Sequence, residues 1–357
     1  MGNNKNILLC PLDWGLGHST RCIPIILKLI ENNHVVFVAG NEVTKKIILT
    51  EVRDVKYIYL KGYDITYSKN IPFLLKIFFQ FPKILFRIIV EHYQLKKIIS
   101  DYNIDVVISD NRFGLYNKSV KCIYITHQIM IKCPRNFKFF EPLLFKIHNH
   151  FIKKYSECWI PDNKDEPNLS GDLSHKFPVN RNTFYIGPLS RFSSIISEAE
   201  IDNHYDILFL ISGPEPQRTV LEKIALNCIS STKLKIAIVR GVTETNANKI
   251  NSENLVINYA SKTELNKLIN NSSLIVSRSG YSTIMDLAII GKNAILIPTP
   301  GQTEQEYLAE YLMNKCCFFC QKQSEFSLLK AVEEAKKFSG ITIKNNYDIL
   351  LERICLF

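Results

Sequence analysis

No stretch of this chain is long and apolar enough to cross a bilayer as a helix. Its most apolar segment, near 71–90, is interrupted by Lys76, Pro82, Lys83 and Arg87, and falls short of the ~18 uncharged residues that a span requires. The opening, MGNNKNILLCPLDWG, lacks a basic stretch followed by a long apolar one, so no signal peptide is expected. A structural zinc site is not expected either. Cys317-Phe318-Phe319-Cys320 has CxxC spacing, but no second pair stands at a suitable distance. The ten cysteines are scattered through apolar segments, the pattern of buried thiols in a reducing cytoplasm. There is no tandem repeat of about 20–50 residues.

Acidic residues are scarce in the first half. Residues 1–190 carry 26 Lys and Arg against 16 Asp and Glu, whereas 191–357 carry 18 of each, so the whole net charge of +10 lies in the first half. That half is expected to face something anionic or a membrane surface. The length of 357 residues indicates two domains, and 46% hydrophobic residues suffice for two cores.

What is present is an alternation of short apolar runs and helical patterns, the rhythm of parallel α/β sheets. Its clearest stretch is VSRSGYSTIMDLAIIGKNAILIPTPGQTEQEYLA, Val276 to Ala309. A buried strand, Ser273–Val276, runs into Ser277-Arg278-Ser279-Gly280. A helix follows with Ile284, Leu287, Ala288 and Gly291 on one face. Asn293–Pro298 is a second strand and Thr303–Asn314 a second helix. Ligands of such sheets bind beyond the carboxyl ends of the strands. Ser279-Gly280 at a helix N-terminus suits a phosphate. Glu304 and Gln305, opening the next helix, suit vicinal hydroxyls.

SRSGYSTIMDLA followed by PTPGQTEQEYLA resembles the donor site of family 28 glycosyltransferases. The resemblance implies a GT-B fold: α/β, with two Rossmann-like domains whose parallel sheets face a central cleft. It covers the second half well and the first half mainly at 6–24. By this likeness Ser279 and Gly280 approach a diphosphate, Thr283 shares their loop, and Asp286 holds the ribose hydroxyls. Glu304 and Gln305 hold the sugar. An Arg after the Gly-Pro crossover faces the donor, a position that Arg191 matches. Ser212-Gly213-Pro214-Glu215-Pro216-Gln217-Arg218 resembles the family's second phosphate-facing loop, with Ser212, Gly213 and Arg218 as candidates, although two prolines replace its usual glycines. Tyr259 and Ala260 match the position that packs the nucleobase.

Near the start, strand Asn6–Leu12 leads into Asp13-Trp14-Gly15-Leu16-Gly17-His18-Ser19-Thr20-Arg21 and a helix to about Glu31. Gly15 and Gly17 allow a tight turn. A dinucleotide fingerprint is excluded, because Thr20 stands where its third glycine belongs. GLGHSTR resembles instead the N-terminal Gly-rich loop of GT-B enzymes. His18 at the helix start, where the dipole lowers an imidazole pKa, has the character of a general base. Strands Val106–Ser109 and Cys122–Thr126 end in Asp110-Asn111-Arg112 and His127-Gln128. Asp13, Gly15, Gly17, Asp110, Arg112, His127 and Gln128 are therefore expected on the acceptor side, with Asp110 orienting His18, binding acceptor hydroxyls or serving as a structural cap. Tyr67–Ser100 mixes six Lys and Arg with Phe and Ile against one acid, Glu91. Pro82 is expected to break it into two helices. It is read either as an interfacial membrane element or as a core helix with a solvated face.

The expected organisation is an acceptor-binding domain over 1–190, a linker over 191–205, a donor-binding domain over 206–340, and a tail over 341–357 returning to the first domain. The expected activity is inverting transfer of a sugar from a nucleoside diphosphate sugar, UDP-linked, to a hydroxyl of a lipid-linked or envelope glycan. No Asp-x-Asp pair occurs, so neither metal nor cofactor is expected. Partners are the donor, the acceptor and an anionic membrane surface, with no nucleic acid. The location is cytoplasmic, peripheral on the inner face of the membrane. A sugar-nucleotide hydrolase or epimerase and a non-catalytic sugar-nucleotide-binding subunit are the alternatives.

Overall fold

The computed structural model of the chain describes residues 4–13, 15–63, 73–193, 204–242, 248–249, 253–344 and 347–357, with 73–79 and 248–249 described by backbone only. Most of the expected linker and residues 67–72 of the basic segment lie outside these. The chain divides into two compact units. One runs through Ser190 and includes the C-terminal stretch after Lys344; the other covers Arg191–Lys344.

Seven parallel strands build the first unit's sheet: β1 (Asn6–Pro11), β2 (Val35–Gly40), β3 (Lys56–Tyr59), β4 (Val106–Asp110), β5 (Lys121–Ile125), β6 (Glu157–Ile160) and β7 (Thr183–Tyr185). They lie in the order β3-β2-β1-β4-β5-β6-β7. The central strands are apolar at nearly every position, as a sheet covered on both faces requires; Ile7, Leu8, Leu9 and Cys10 are wholly buried. Helices α1 (Leu16–Glu31), α2 (Glu42–Glu51), α3 (Phe73–Tyr102), α4 (Glu141–Ile152) and the single turn α5 (Asp172–His175) connect them. A 3-10 turn, Arg135–Phe140, precedes α4.

One finding differs from expectation here. Pro82 does not end a helix: α3 runs unbroken for 30 residues around it, and α1 likewise runs through Pro24. A proline removes one hydrogen bond and crowds the preceding turn, which the long helices on either side tolerate. Phe137, Phe139 and Phe140, unassigned in the sequence, are exposed at 50%, 70% and 42%.

The second sheet has the order β10-β11-β9-β8-β12-β13-β14. Its strands are β8 (Tyr205–Leu210), β9 (Ile236–Val239), β10 (Asn248–Lys249), β11 (Leu255–Ile257), β12 (Ser272–Ser277), β13 (Ala294–Leu296) and β14 (Phe319–Cys320). All are parallel except β10, which runs antiparallel to β11. Five helices belong with it: α6 (Gln217–Ser231), α7 (Lys262–Asn270), α8 (Tyr281–Ile290), α9 (Thr303–Asn314) and α10 (Leu328–Ala335). Ser261 and Glu264 form a reciprocal capping box at the start of α7. Gly291, at φ 76, ends α8 in the left-handed conformation. The last helix, α11 (Asp348–Cys355), packs on α1 in the first unit. There Phe357 lies parallel to Trp159, ring centroids 6.1 Å apart.

Candidate active site

In each sheet the strand order reverses once at the centre, and open α/β sheets bind ligands beside that reversal, past the carboxyl ends of the strands. In the first unit the reversal lies between β1 and β4, where Pro11 pairs with Asp110. Gly15, at φ +85, turns the chain into α1 with open space where a Cβ would stand. His18 thus falls in the first turn of α1. Its Nδ1 lies 2.9 Å from Asp110 Oδ2.

Asp110 is fully buried. Arg21, one turn beyond His18, grips it twice: Nε donates to Oδ2 at 3.0 Å and Nη2 donates to Oδ1. Arg21 Nη1 also donates to His127 Nδ1 at 3.1 Å. These bonds assign the protons. A carboxylate only accepts, so His18 carries its proton on Nδ1 and its Nε2 lone pair is available. An arginine only donates, so His127 carries its proton on Nε2. Burial lowers the His18 pKa first and the charge of Arg21 second, against the opposing pull of Asp110. The direction is that expected of a base; the leading cause is desolvation rather than the helix dipole. Burial by itself raises the Asp110 carboxyl, but Arg21 and His18 outweigh it and hold the group far below the usual range.

The remaining acceptor-side candidates divide. Asp13 packs against Gly62, where a Cβ would overlap its carboxylate. The Gly17 carbonyl accepts from Thr20 Oγ1 at 3.1 Å. Gln128 is half-buried, with its N–H on Thr126 Oγ1. Arg112 does not line any surface, contrary to expectation. It is wholly buried, its Nε donates to Glu91 Oε1 at 2.6 Å, and its other nitrogens reach the carbonyls of Pro11 and Lys61. Asp110 and His127 are also too deeply buried to receive acceptor hydroxyls; of the remaining roles, Asp110 has the geometry for orienting His18.

In the second unit the reversal lies between β8 and β12, where Leu210 pairs with Ser277. The loops after these strands hold Ser212-Gly213 and Ser279-Gly280. Gly213 adopts φ +106, and both Gly213 and Gly280 have open space where a Cβ would stand. Gly280 is the N-cap of α8 and makes no side-chain capping bond. Ser279 is buried, and its Oγ donates to the Gln305 carbonyl at 2.8 Å, tying the two polar loops together. Gln305 Oε1 accepts from the Thr299 N–H at 2.9 Å, and Glu304 beside it is half-buried. Thr283 and Asp286, three residues apart, share the partly exposed stripe of α8, while Ile284, Leu287 and Ala288 pack beneath. Arg191 Nε lies 4.0 Å from Asp286 Oδ2. Tyr259 is half-buried and Ala260 buried in the turn after β11.

Arg218 is a correction. Two carboxylates neutralise it, Glu215 at 2.6 Å and Glu222 at 2.7 Å, and Glu222 also accepts from Arg240 Nε. So held, it is less available to a diphosphate than Arg191, whose Nε lies 4.0 Å from one carboxylate, Asp286. Sequence reasoning also passed over Arg21, whose i, i+3 spacing from His18 put both on one face of α1.

Residues 215–341 match the glycosyltransferase family 28 C-terminal domain. Over 86 residues the chain is 37% identical to the UDP-N-acetylglucosamine--N-acetylmuramyl-(pentapeptide) pyrophosphoryl-undecaprenol N-acetylglucosamine transferase of Rickettsia bellii, covering 23% of this chain and 24% of that one. The transferase of the same name from Methylobacterium radiotolerans is 55% identical over 38 residues, 11% of this chain and 10% of that one. The chain therefore aligns with about a quarter or less of the length of these relatives. Among solved structures, the glycotransferase of kitacinnamycin superposes with a TM-score of 0.63 at 13% identity, covering 99% of this chain and 94% of that one. MurG of Acinetobacter baumannii superposes with a TM-score of 0.55 at 11% identity, covering 99% and 100%. The fold is thus that of the two-domain GT-B glycosyltransferases. Within the second unit, residues 215–341 are similar to the C-terminal domain of family 28.

Proposed function

We propose that this chain is an inverting glycosyltransferase that moves a sugar from a nucleoside diphosphate sugar to a hydroxyl of a lipid-linked envelope glycan. The observation that carries the reading is the site beside the central reversal of the second sheet. Two open glycine turns, the Gly280 N-terminus of α8, Asp286 and Arg191 lie there, next to or within the stretch that matches a family 28 C-terminal domain. The diphosphate meets the end of α8 and Arg191, which stabilise the departing charge by preorganised electrostatics. Asp286 accepts from the ribose hydroxyls, Tyr259-Ala260 pack the base, and Glu304 with Gln305 face the sugar. His18 Nε2 takes the proton of the attacking hydroxyl while Asp110 holds the ring in that tautomer. With Arg191 and the helix end answering the phosphate charge, the reading assigns no metal and no cofactor.

Uracil is the base we favour, because the matched relatives are named for UDP-N-acetylglucosamine. A spinosyn rhamnosyltransferase of the same fold, solved in complex with thymidine diphosphate, makes thymine the competitor. A thermal-shift screen over UDP- and dTDP-sugars tests this. A bound ligand at 100 times its Kd stabilises by about 2.7 kcal/mol. No shift with any sugar nucleotide would sink the reading.

We also propose peripheral attachment to the inner face of an anionic membrane. No described helix is long and apolar enough to cross one. Phe81, Phe86, Ile89 and Tyr93 on α3, and Phe139, Leu143 and Ile147 around α4, stand exposed. Among them Lys83, Lys96, Lys97, Arg135, Lys138, Lys146, Lys153 and Lys154 are exposed, while Glu91 and Glu141 are buried and Asp101, near the end of α3, is the one exposed acid of these two helices. Such a surface suits anionic headgroups with shallow aromatic insertion.

A further inference from the structure

Three arginines are fully buried among the described residues: Arg21, Arg112 and Arg278. Two of them face a carboxylate, Asp110 for Arg21 and Glu91 for Arg112. Arg278 faces none. Its Nη1 donates to the carbonyls of Ile297 and Pro298 at 3.2 and 3.3 Å. Its Nη2 donates to the Gln217 carbonyl at 2.9 Å and to Gln323 Oε1 at 2.6 Å. Its Nε is buried with no partner. Every acceptor is neutral.

Burying a charge without a counter-ion is costly, and neutral carbonyls answer that cost only in part. Desolvation accordingly pulls the Arg278 pKa down to about 10, which leaves it charged at neutral pH. The partners show where the charge sits. Gln217 opens α6, after the Gly213 turn; Ile297 and Pro298 follow β13 and lead into the 299–306 loop; Arg278 itself adjoins Ser279-Gly280. One guanidinium is tied to all three loops at the carboxyl edge of the second sheet.

We infer that Arg278 is a positioning residue for the donor: a buried positive charge without a carboxylate, held behind the Ser279-Gly280 helix end, that makes this edge select ligands carrying a diphosphate. This rests on the donor site proposed above. Arg278 need not touch the ligand. Its own nitrogens are inside the fold, so it acts through its field, which low-dielectric surroundings screen weakly, and through the loops it fastens. The anion that the sequence omits as a partner for Arg278 is then the ligand itself.

Calorimetric titration of UDP and of uridine into the wild type, Arg278→Gln and Arg278→Lys separates the charge from the scaffold. Glutamine keeps donors for the carbonyls and loses the charge; lysine keeps the charge and loses the planar fork. The expected result is a loss of roughly 10- to 50-fold in UDP affinity for Arg278→Gln, with uridine affinity changed less than about twofold. Arg278→Lys is expected to keep the ratio of UDP to uridine affinity within about threefold of the wild type. Equal losses for both ligands in Arg278→Gln, or no loss for either, would overturn the inference and leave Arg278 a loop clasp. Should circular dichroism show Arg278→Gln unfolded, Arg278→Lys decides alone: a preserved ratio supports the charge, and equal weakening of both ligands refutes it. A wild type that binds uridine as tightly as UDP refutes the inference while leaving a nucleoside site standing. A wild type that binds neither refutes the donor reading itself.

Discussion

His18 Nδ1 lies 2.9 Å from Asp110 Oδ2, and Asp110 is in turn clamped by Arg21. The pair joins a residue at the start of a helix to one at the end of a strand 92 positions later. Its effect is to fix one tautomer and leave His18 Nε2 as an acceptor.

Replacing His18 by Ala should therefore lower kcat by roughly 10²–10⁴-fold. Donor affinity should hold, because the donor residues belong to the other unit. The acid limb of the kcat/KM profile should reflect a base whose pKa lies below the ordinary histidine value of 6.5, since burial and Arg21 lower it. Activity then declines as His18 protonates on acidification, at lower pH than an ordinary histidine would give. Steady-state kinetics from pH 5 to 8 would expose the error: an apparent pKa above 7, or near-normal kcat in His18→Ala, moves the base elsewhere.

Arg112 should matter for folding rather than for the reaction. Arg112→Ala leaves Glu91 buried without its partner and should cost about 3–5 kcal/mol of stability. The measurement is urea unfolding of the variant beside the rate of transfer. A variant as stable as the wild type would contradict the structural role, and a stable one with lost transfer and intact donor binding would return Arg112 to the acceptor side.

Asp286→Ala should weaken the donor by roughly 10- to 150-fold, the equivalent of one charged hydrogen bond of about 1.5–3 kcal/mol. Its neighbour Arg191, 4.0 Å away, should show the complementary loss against the diphosphate when changed to Ala. Titration of UDP and uridine distinguishes them: Asp286→Ala weakens both through the ribose, Arg191→Ala only the diphosphate. Unchanged binding in folded Asp286→Ala removes it from the site.

Membrane binding should require anionic lipid and fall with salt, as the screening length shrinks from ~10 Å at 0.1 M to ~3 Å at 1 M. Phe139→Glu with Phe86→Glu should abolish co-sedimentation with anionic vesicles, and Lys83→Glu with Lys138→Glu should weaken it. Arg87 is a poorer choice, because it donates to the Gly62 and Lys61 carbonyls. Equal partitioning to neutral vesicles, or none to either, would contradict the proposal.

Much of this could be read in the chain because the signals are local. A glycine turn, a short apolar run and a helical period sufficed to place β1 with α1 and β12 with α8. They also put Gly15, His18 and Gly280 at element ends and Asp286 inside α8. What stayed hidden depends on partners distant in sequence. Whether Arg112 or Arg218 is a free cation is decided by Glu91, Glu215 and Glu222, and Arg278 differs from Arg21 only in having no carboxylate beside it. Pro82 misled because a proline reads as a breaker, while the outcome depends on the length of helix on either side. Phe137-Lys138-Phe139-Phe140 was silent because aromatic residues alone do not say whether they face the core or the solvent.

The central claim is transfer, and the most direct measurement is the release of UDP from UDP-N-acetylglucosamine, followed with and without a membrane lipid extract as acceptor. Release is expected only with the extract, with labelled sugar in the lipid fraction and both signals gone in His18→Ala. Equal release without any acceptor would make the chain a hydrolase, and sugar transfer undiminished in His18→Ala would contradict the mechanism.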